Sequence, residues 1–416
     1  MGGLETVAAA IEADLAARLP QQRVTQRRNL ALLAAVLLCE RDVNLMALGA
    51  ALPMATSNRA SRFQKLKRIL ANRHIQPGEV MAPYAREVLA TLSAKGQQPV
   101  LVIDQSQATR LHRHEVLMVA VAVGGRALPL AWLVRETSGA IGFADQRQLL
   151  EQVAGWLPRG VRPVLMGDRF YGSPDLIAWC AERGWSWRLR LKASLLVYDR
   201  NGGETTLGAC FEDGSWMLPD VRLSARQVPS HVAILHEPGH PEPWIIALSE
   251  KPSTPRALDY GMRWGIEAMF SDLKGRGFAL EDSQLRKADR IERLLLGLAI
   301  AIYWAVSTGM WDRETNPLAA EAKAPDRRPA RCLRSRLSFF TRGLRRLKTC
   351  IASALTPPPL WGVWLTDSRR GGHRPMLDRA KPAALYAHAR RSGADPLQRR
   401  ISPTRRRTLG RGSSAG

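Results

Sequence analysis

Two short apolar runs in this chain lead into aspartates. Pro99-Val100-Leu101-Val102-Ile103 stops at Asp104, and Pro163-Val164-Leu165-Met166 is followed one residue later by Asp168. Runs of this length, rich in Val and Leu, read as strands buried on both faces. In an open α/β sheet the carboxyl ends of such strands are where ligands sit. A carboxylate at that place is either a helix cap or a functional group. A cap suits Asp168, because a helix with Ser173 and Pro174 at its start follows closely. It suits Asp104 less, because Gln105-Ser106-Gln107 leads into another strand.

The surrounding pattern predicts a mixed sheet with helices on its faces. His114 to Val123, two glycines, then Ala127 to Val134 form a hairpin pattern. Helices are predicted over 145–157 and 173–183, and strands over 185–191 and 243–248. Between the last two, residues 196–243 read as a small β-rich insertion. Residues 1–96 read as helical. Within them, a capped helix at 42–52, a turn at 53–58 and a basic helix at 59–72 outline a helix-turn-helix. Arg62, Lys65, Lys67 and Arg68 lie on the polar side of that second helix.

A third carboxylate stands far along the chain, in Y-G-M-R-W-G-I-E-A-M-F-S-D-L-K (260–274). Met262, Ile266, Met269, Phe270 and Leu273 give this stretch one apolar stripe. On the same helical wheel Tyr260, Arg263, Glu267 and Lys274 fall in a row beside that stripe. Taken alone, the row could be a solvated edge with an Arg263–Glu267 pair one turn apart.

Charge narrows the partners. The chain carries 61 Lys and Arg against 37 Asp and Glu, a net charge of +24. A polyanion is implied, nucleic acid first and an anionic membrane surface second. Most of the excess lies in residues 318–416, which hold 23 basic and 5 acidic residues. Five cysteines without a C-x-x-C pair point to a reducing compartment, with no disulfide framework and no zinc site. Glu5, Glu12 and Asp14 are wrong for a signal peptide. The apolar run Leu294 to Val306 is shorter than a membrane span and is expected as a buried core helix.

Three carboxylates on separate elements suit phosphodiester chemistry, because hard oxygen ligands hold Mg²⁺ or Mn²⁺. At this point the chain resembles DDE transposases of the insertion-sequence-4 family. Their Y-x2-R-x3-E-x6-K pattern is matched by Tyr260, Arg263, Glu267 and Lys274. Asp168-Arg169-Phe170-Tyr171 matches their D-R-x-Y context, and the β-rich insertion stands where theirs does. The resemblance spans roughly residues 40–310, and the Arg-rich tail lies outside the family pattern.

The resemblance implies a ribonuclease-H-like α/β core over 97–310, with the β-rich insertion at about 196–243. A helical DNA-binding domain would precede it at 1–96, and a basic, largely disordered tail would follow at 311–416. Asp104, Asp168 and Glu267 would be catalytic and bind two Mg²⁺ or Mn²⁺ ions. Tyr260, Arg263 and Lys274 would contact DNA, and Trp244 or Trp216 would be candidates to stack on a flipped base. The implied activity is cleavage at element ends and transfer of the 3′-OH into target DNA. The implied partners are terminal inverted repeats, target DNA and a second copy of the chain, with no membrane, in a bacterial cytoplasm at the nucleoid. An inactive relative that only binds DNA, or a ribonuclease-H-like nuclease, are the alternatives. Only 337–355 reads as helical beyond Thr315, so the tail is expected to add little to the stability of the core.

Overall fold

The fold is taken from a computed structural model, which describes residues 2–317 and 337–361 apart from 56, 211–214 and 237–241. Five helices come first: α1 (Gly3–Arg18), α2 (Val24–Glu40), α3 (Leu45–Ala51), α4 (Arg59–Ala71) and α5 (Pro77–Ser93). Asn44 caps α3 and Asn58 caps α4, each accepting from two backbone N–H groups of the first turn. The expected basic helix is therefore α4, with Leu66, Ile69 and Leu70 inward. Arg62 turns back onto the end of α3, donating to the carbonyls of Ala50 (3.0 Å) and Met54 (2.9 Å). It ties the two helices together by satisfying carbonyls that a helix end leaves without partners.

The rest is a ten-stranded mixed sheet in the order β3-β2-β1-β4-β5-β10-β9-β8-β6-β7, flanked by helices. The first three strands, β1 (Val100–Gln107), β2 (His114–Val123) and β3 (Arg126–Glu136), form an antiparallel meander. Helix α6 (Phe143–Ala154) then leads to β4 (Val164–Gly167), and α7 (Pro174–Glu182) to β5 (Ser186–Arg190). Strands β1, β4 and β5 run parallel at the centre. The β-rich stretch supplies β6 (Leu196–Tyr198), β7 (Glu204–Thr206), β8 (Trp216–Leu223) and β9 (Val228–Leu235). These extend the same sheet, and β10 (Trp244–Leu248) joins β9 to β5.

Beyond the sheet come α8 (Thr254–Leu258), a 3₁₀ turn over Asp259–Arg263, and α9 (Trp264–Leu273). The long α10 (Ala288–Thr315) follows. It is apolar and long enough to cross a membrane, yet 94 % of its apolar window is buried inside the fold.

The helix read at 337–355 is α11 (Phe339–Ala352), and it is not a detached part of a tail. It crosses α10 so closely that a Cβ at Gly309 would stand 1.8 Å from the Phe339 carbonyl oxygen. A Cβ at Gly343 would stand 1.7 Å from that of Ala305. Phe339, Phe340, Leu344 and Leu347 are buried there. The chain then ends its described course at Trp361, whose N–H donates to Ser307 Oγ of α10 at 3.0 Å. The helix expected at 337–355 is thus present as α11, packed on α10, and the chain is described up to Trp361. The expectation of disorder over 318–336 and 362–416 lies outside the described residues.

Candidate active site

Register places the two aspartates. Ile103 of β1 pairs with Gly167 of β4, so Asp104 and Asp168 are the next residues on adjacent parallel strands. Gly167 is needed there because a Cβ would meet the Cβ of Tyr171 at 2.7 Å. Asp104 Oδ1 accepts from the Gln105 N–H at 2.9 Å. Asp168 Oδ1 accepts from the Phe170 N–H at 2.8 Å, closing a tight turn. The cap of α7 is Ser173, which accepts from the Leu176 N–H at 3.2 Å. Asp168 is therefore not spent on capping that helix.

Glu267 is brought in by α9, and Arg263 connects it to the strands. One Arg263 nitrogen donates to Asp104 Oδ2 at 3.1 Å, and another pairs with Glu267 one turn along. The Asp104 and Arg263 side chains are mostly buried, whereas Glu267 is 55 % exposed. Burial pushes the Asp104 carboxyl up to about 7, against Arg263, with the charges of Asp168 and Glu267 adding to the rise. For Arg263, burial works against the charge, but Tyr260, Asp104 and Glu267 outweigh it and its pKa is raised.

The single helical row breaks at both ends. Tyr260 and Arg263 lie in the 3₁₀ turn, and Lys274 has left the helix as its C-cap. Tyr260 is buried in a second apolar cluster with Leu235, Ile246 and Leu258, not beside solvent. Its ring meets Trp244 edge-on at 5.7 Å, and burial pushes its phenol up to about 12. Lys274 Nζ pairs with Glu281 at 2.8 Å. Trp244 also packs edge-on against Trp264, and Trp216 packs against the main core.

Some residues at the site carry no sequence expectation. Tyr171 is buried, and its phenol oxygen has no partner among the described residues. Burial, Asp104 and Asp168 together hold its pKa well above the ordinary value, so it stays protonated. Tyr260 Oη and Arg263 Nε are also buried without partners. Phe170 and Trp264 are large apolar side chains left exposed, each adjacent in sequence to a site residue. Asp272, within the quoted S-D-L-K, pairs with Arg126 and ties α9 to the start of β3. The signal for Tyr171 was the D-R-x-Y match itself, and Phe170, Trp264 and Asp272 lie inside the quoted motif stretches, with no role attached to any of them.

The donor set fits a hard divalent cation. Asp104, Asp168 and Glu267 offer only carboxylate oxygens, and Asp104 is raised first by burial and then by the charges of Asp168 and Glu267, a part of the rise that a cation would relieve. As the side chains stand, no three acids, histidines or cysteines among the described residues converge closely enough to hold one. Arg263 takes up the Asp104 and Glu267 oxygens instead.

An ordinary aspartate titrates near pH ~3.9 when unfolded. With Asp104 at about 7 in the fold, the folded state binds the extra proton between those values. Stability from this group is therefore full below pH ~4 and is lost as pH rises to ~7. Asp104→Asn is expected to stabilise the protein by about 1–2 kcal/mol near pH ~8, and by nothing near pH ~4. Melting in the presence of a chelator checks this. Identical wild-type and variant curves across that range would count against it.

Residues 112–304 match the family described as Transposase DDE domain. The match begins after Asp104 and covers Asp168, Tyr260, Arg263, Glu267 and Lys274. No curated protein matches the chain. The mixed ten-stranded sheet with flanking helices fits a core of that kind, and over residues 112–304 the chain is similar to the DDE domain of transposases.

Proposed function

We propose that this chain is a metal-dependent transposase of the insertion-sequence-4 type, with a ribonuclease-H-like core. It would cut DNA at the ends of its element and join the freed 3′-OH to target DNA. The observation that carries this reading is the neighbouring position of Asp104 and Asp168 on paired parallel strands, with Glu267 linked to them through Arg263. These three carboxylates would hold the cations, Mg²⁺ or Mn²⁺. When bound, two such ions activate an attacking oxygen and stabilise the leaving one.

The chain's own residues position the DNA. Arg263 offers a fork of donors suited to a phosphate, and the idle phenol of Tyr260 lies beside it. Lys274 would reach backbone phosphate on leaving Glu281. In the first step water attacks the phosphodiester at the element boundary and the 3′ oxygen leaves, taking a proton. In the second, that 3′-OH attacks a target phosphodiester and displaces its 3′ oxygen. Residues 1–96 would bind the ends through α4, the basic tail would add sequence-independent affinity, and two copies would hold the two ends. A bacterial cytoplasm, at the nucleoid, is the compartment this implies.

The test uses the full chain and a duplex carrying the sequences that flank its gene. With Mn²⁺, cuts leaving a 3′-OH at the element boundary are expected, with joined products once target plasmid is added. A chelator should stop both. Binding without any cut would favour the inactive relative, and cuts with no preference for the boundary would favour a plain nuclease.

A further inference from the structure

Taking the three acids as the cation-binding set described above, we propose that Arg263 is an internal counter-cation that closes this set to divalent ions until a DNA phosphate draws it away. Arg263 spends one nitrogen on Asp104 Oδ2, at 3.1 Å, and another on Glu267. Both partners are acids the cation would need. A guanidinium and a hard cation compete for the same lone pairs, because each carboxylate oxygen held by one is turned from the other. The position of Arg263 gives its side chain the reach to both acids. It stands one turn before Glu267 in the chain and next to Asp104 in space, in the 3₁₀ turn that leads into α9.

The same guanidinium is also prepared to leave. Its Nε is buried with no partner among the described residues, and so is the neighbouring Tyr260 Oη. Both are donors, so the ligand they lack is an acceptor. A phosphodiester supplies acceptors on a charge that competes with the two carboxylates for Arg263. Once phosphate takes Arg263, Asp104 and Glu267 are released to a cation, and the cation in turn lowers the repulsion between acids and phosphate. Binding of DNA and of divalent cation thus strengthen one another, and the coupling is the same seen from either ligand. The consequence is a protein that holds its cation weakly when free.

The test is calorimetric and does not depend on turnover. The full chain is titrated with Mn²⁺ without DNA. Arg263→Gln is expected to bind Mn²⁺ roughly tenfold more tightly than wild type, although it should cut DNA poorly. Unchanged or weaker binding overturns the proposal. Should Arg263→Gln fail to fold, Arg263→Lys replaces it. Its three donors share one nitrogen and lack the planar reach of the guanidinium, so its grip on the two carboxylates is expected to be weaker and Mn²⁺ binding tighter than in wild type, and binding no tighter overturns the proposal.

Arg263→Gln with Asp168→Ala separates the two levels. If the double variant binds Mn²⁺ as well as Arg263→Gln does, Asp168 is no part of a cation site and the functional reading itself fails. If the double variant loses Mn²⁺ and Arg263→Gln is no tighter than wild type, only the counter-cation fails. In a last titration Ca²⁺ replaces Mn²⁺ and the gene-flanking duplex is present. The duplex should tighten Ca²⁺ binding to wild type more than to Arg263→Gln. Equal tightening in both, or none in either, overturns the coupling.

Discussion

Alanine at Asp104, Asp168 or Glu267 is expected to lower DNA cleavage by at least about a thousandfold while leaving a folded protein that binds DNA. The size follows from cooperation, because residues that act as a unit lose nearly the whole effect when one is removed. Two alanines together should therefore cost little more than one. The folding consequences differ among the three. Glu267 is more than half exposed and pairs only within its own turn, so Glu267→Ala should shift stability by about 0.5 kcal/mol or less. Asp168→Ala loses the turn bond to Phe170 N–H, worth about 1 kcal/mol. Asp104→Ala removes an acid whose charged form the fold disfavours, but leaves Arg263 with one partner fewer. Single-turnover cleavage and melting on the same preparations test this. Cleavage within tenfold of wild type at any of the three positions would remove that residue from the site.

Much of this centre is local and so legible in the sequence. The strands that carry Asp104 and lead to Asp168 announce themselves by short apolar runs, and their adjacency needs only the parallel pairing that such runs favour, but β1 does not stop at Asp104: it runs on to Gln107, still paired with β2. The Asp168 cap could be settled only by geometry, since Ser173 and Asp168 both precede α7 and only one reaches its first turn. What escaped depends on distant residues or on broken periodicity. The helical wheel drawn from Tyr260 to Lys274 assumes one continuous α-helix. A 3₁₀ turn tightens its first turn and the chain leaves it at Lys274, so Tyr260 enters a separate apolar cluster and Lys274 meets Glu281. Arg263 looked like half of a pair with Glu267, and its second carboxylate comes from Asp104, 159 residues earlier.

Ending the chain at residue 316 is expected to unfold the protein or lower its melting temperature by well over 10 °C. This reverses the expectation drawn from composition, in which a segment rich in Arg, Ala and Pro adds charge and little else. Composition misleads because the contact is made by glycines. Gly309 and Gly343 let α10 and α11 approach to backbone contact, and Gly3 makes a similar approach to Ile351. No hydrophobic pattern marks those positions. Around them Phe340 stacks edge-on against Phe278 at 5.7 Å, Trp361 against Tyr303 at 5.8 Å, and buried Arg342 donates to Asp312 at 2.6 Å. Phe339, Phe340, Leu344, Leu347, Cys350, Leu360 and Trp361 are all buried. At about 1.5–3 kcal/mol for each large apolar side chain, their removal rivals the ~5–15 kcal/mol that holds a typical domain together. Cuts at two places separate this from the electrostatic role of the tail. A chain ending at residue 361 keeps α11 and should melt like the full protein, while losing affinity for DNA and part of its salt dependence. A chain ending at residue 316 should lose the cooperative transition itself. If both shortened chains melt alike, α11 contributes nothing to the fold and the close helix crossing is incidental.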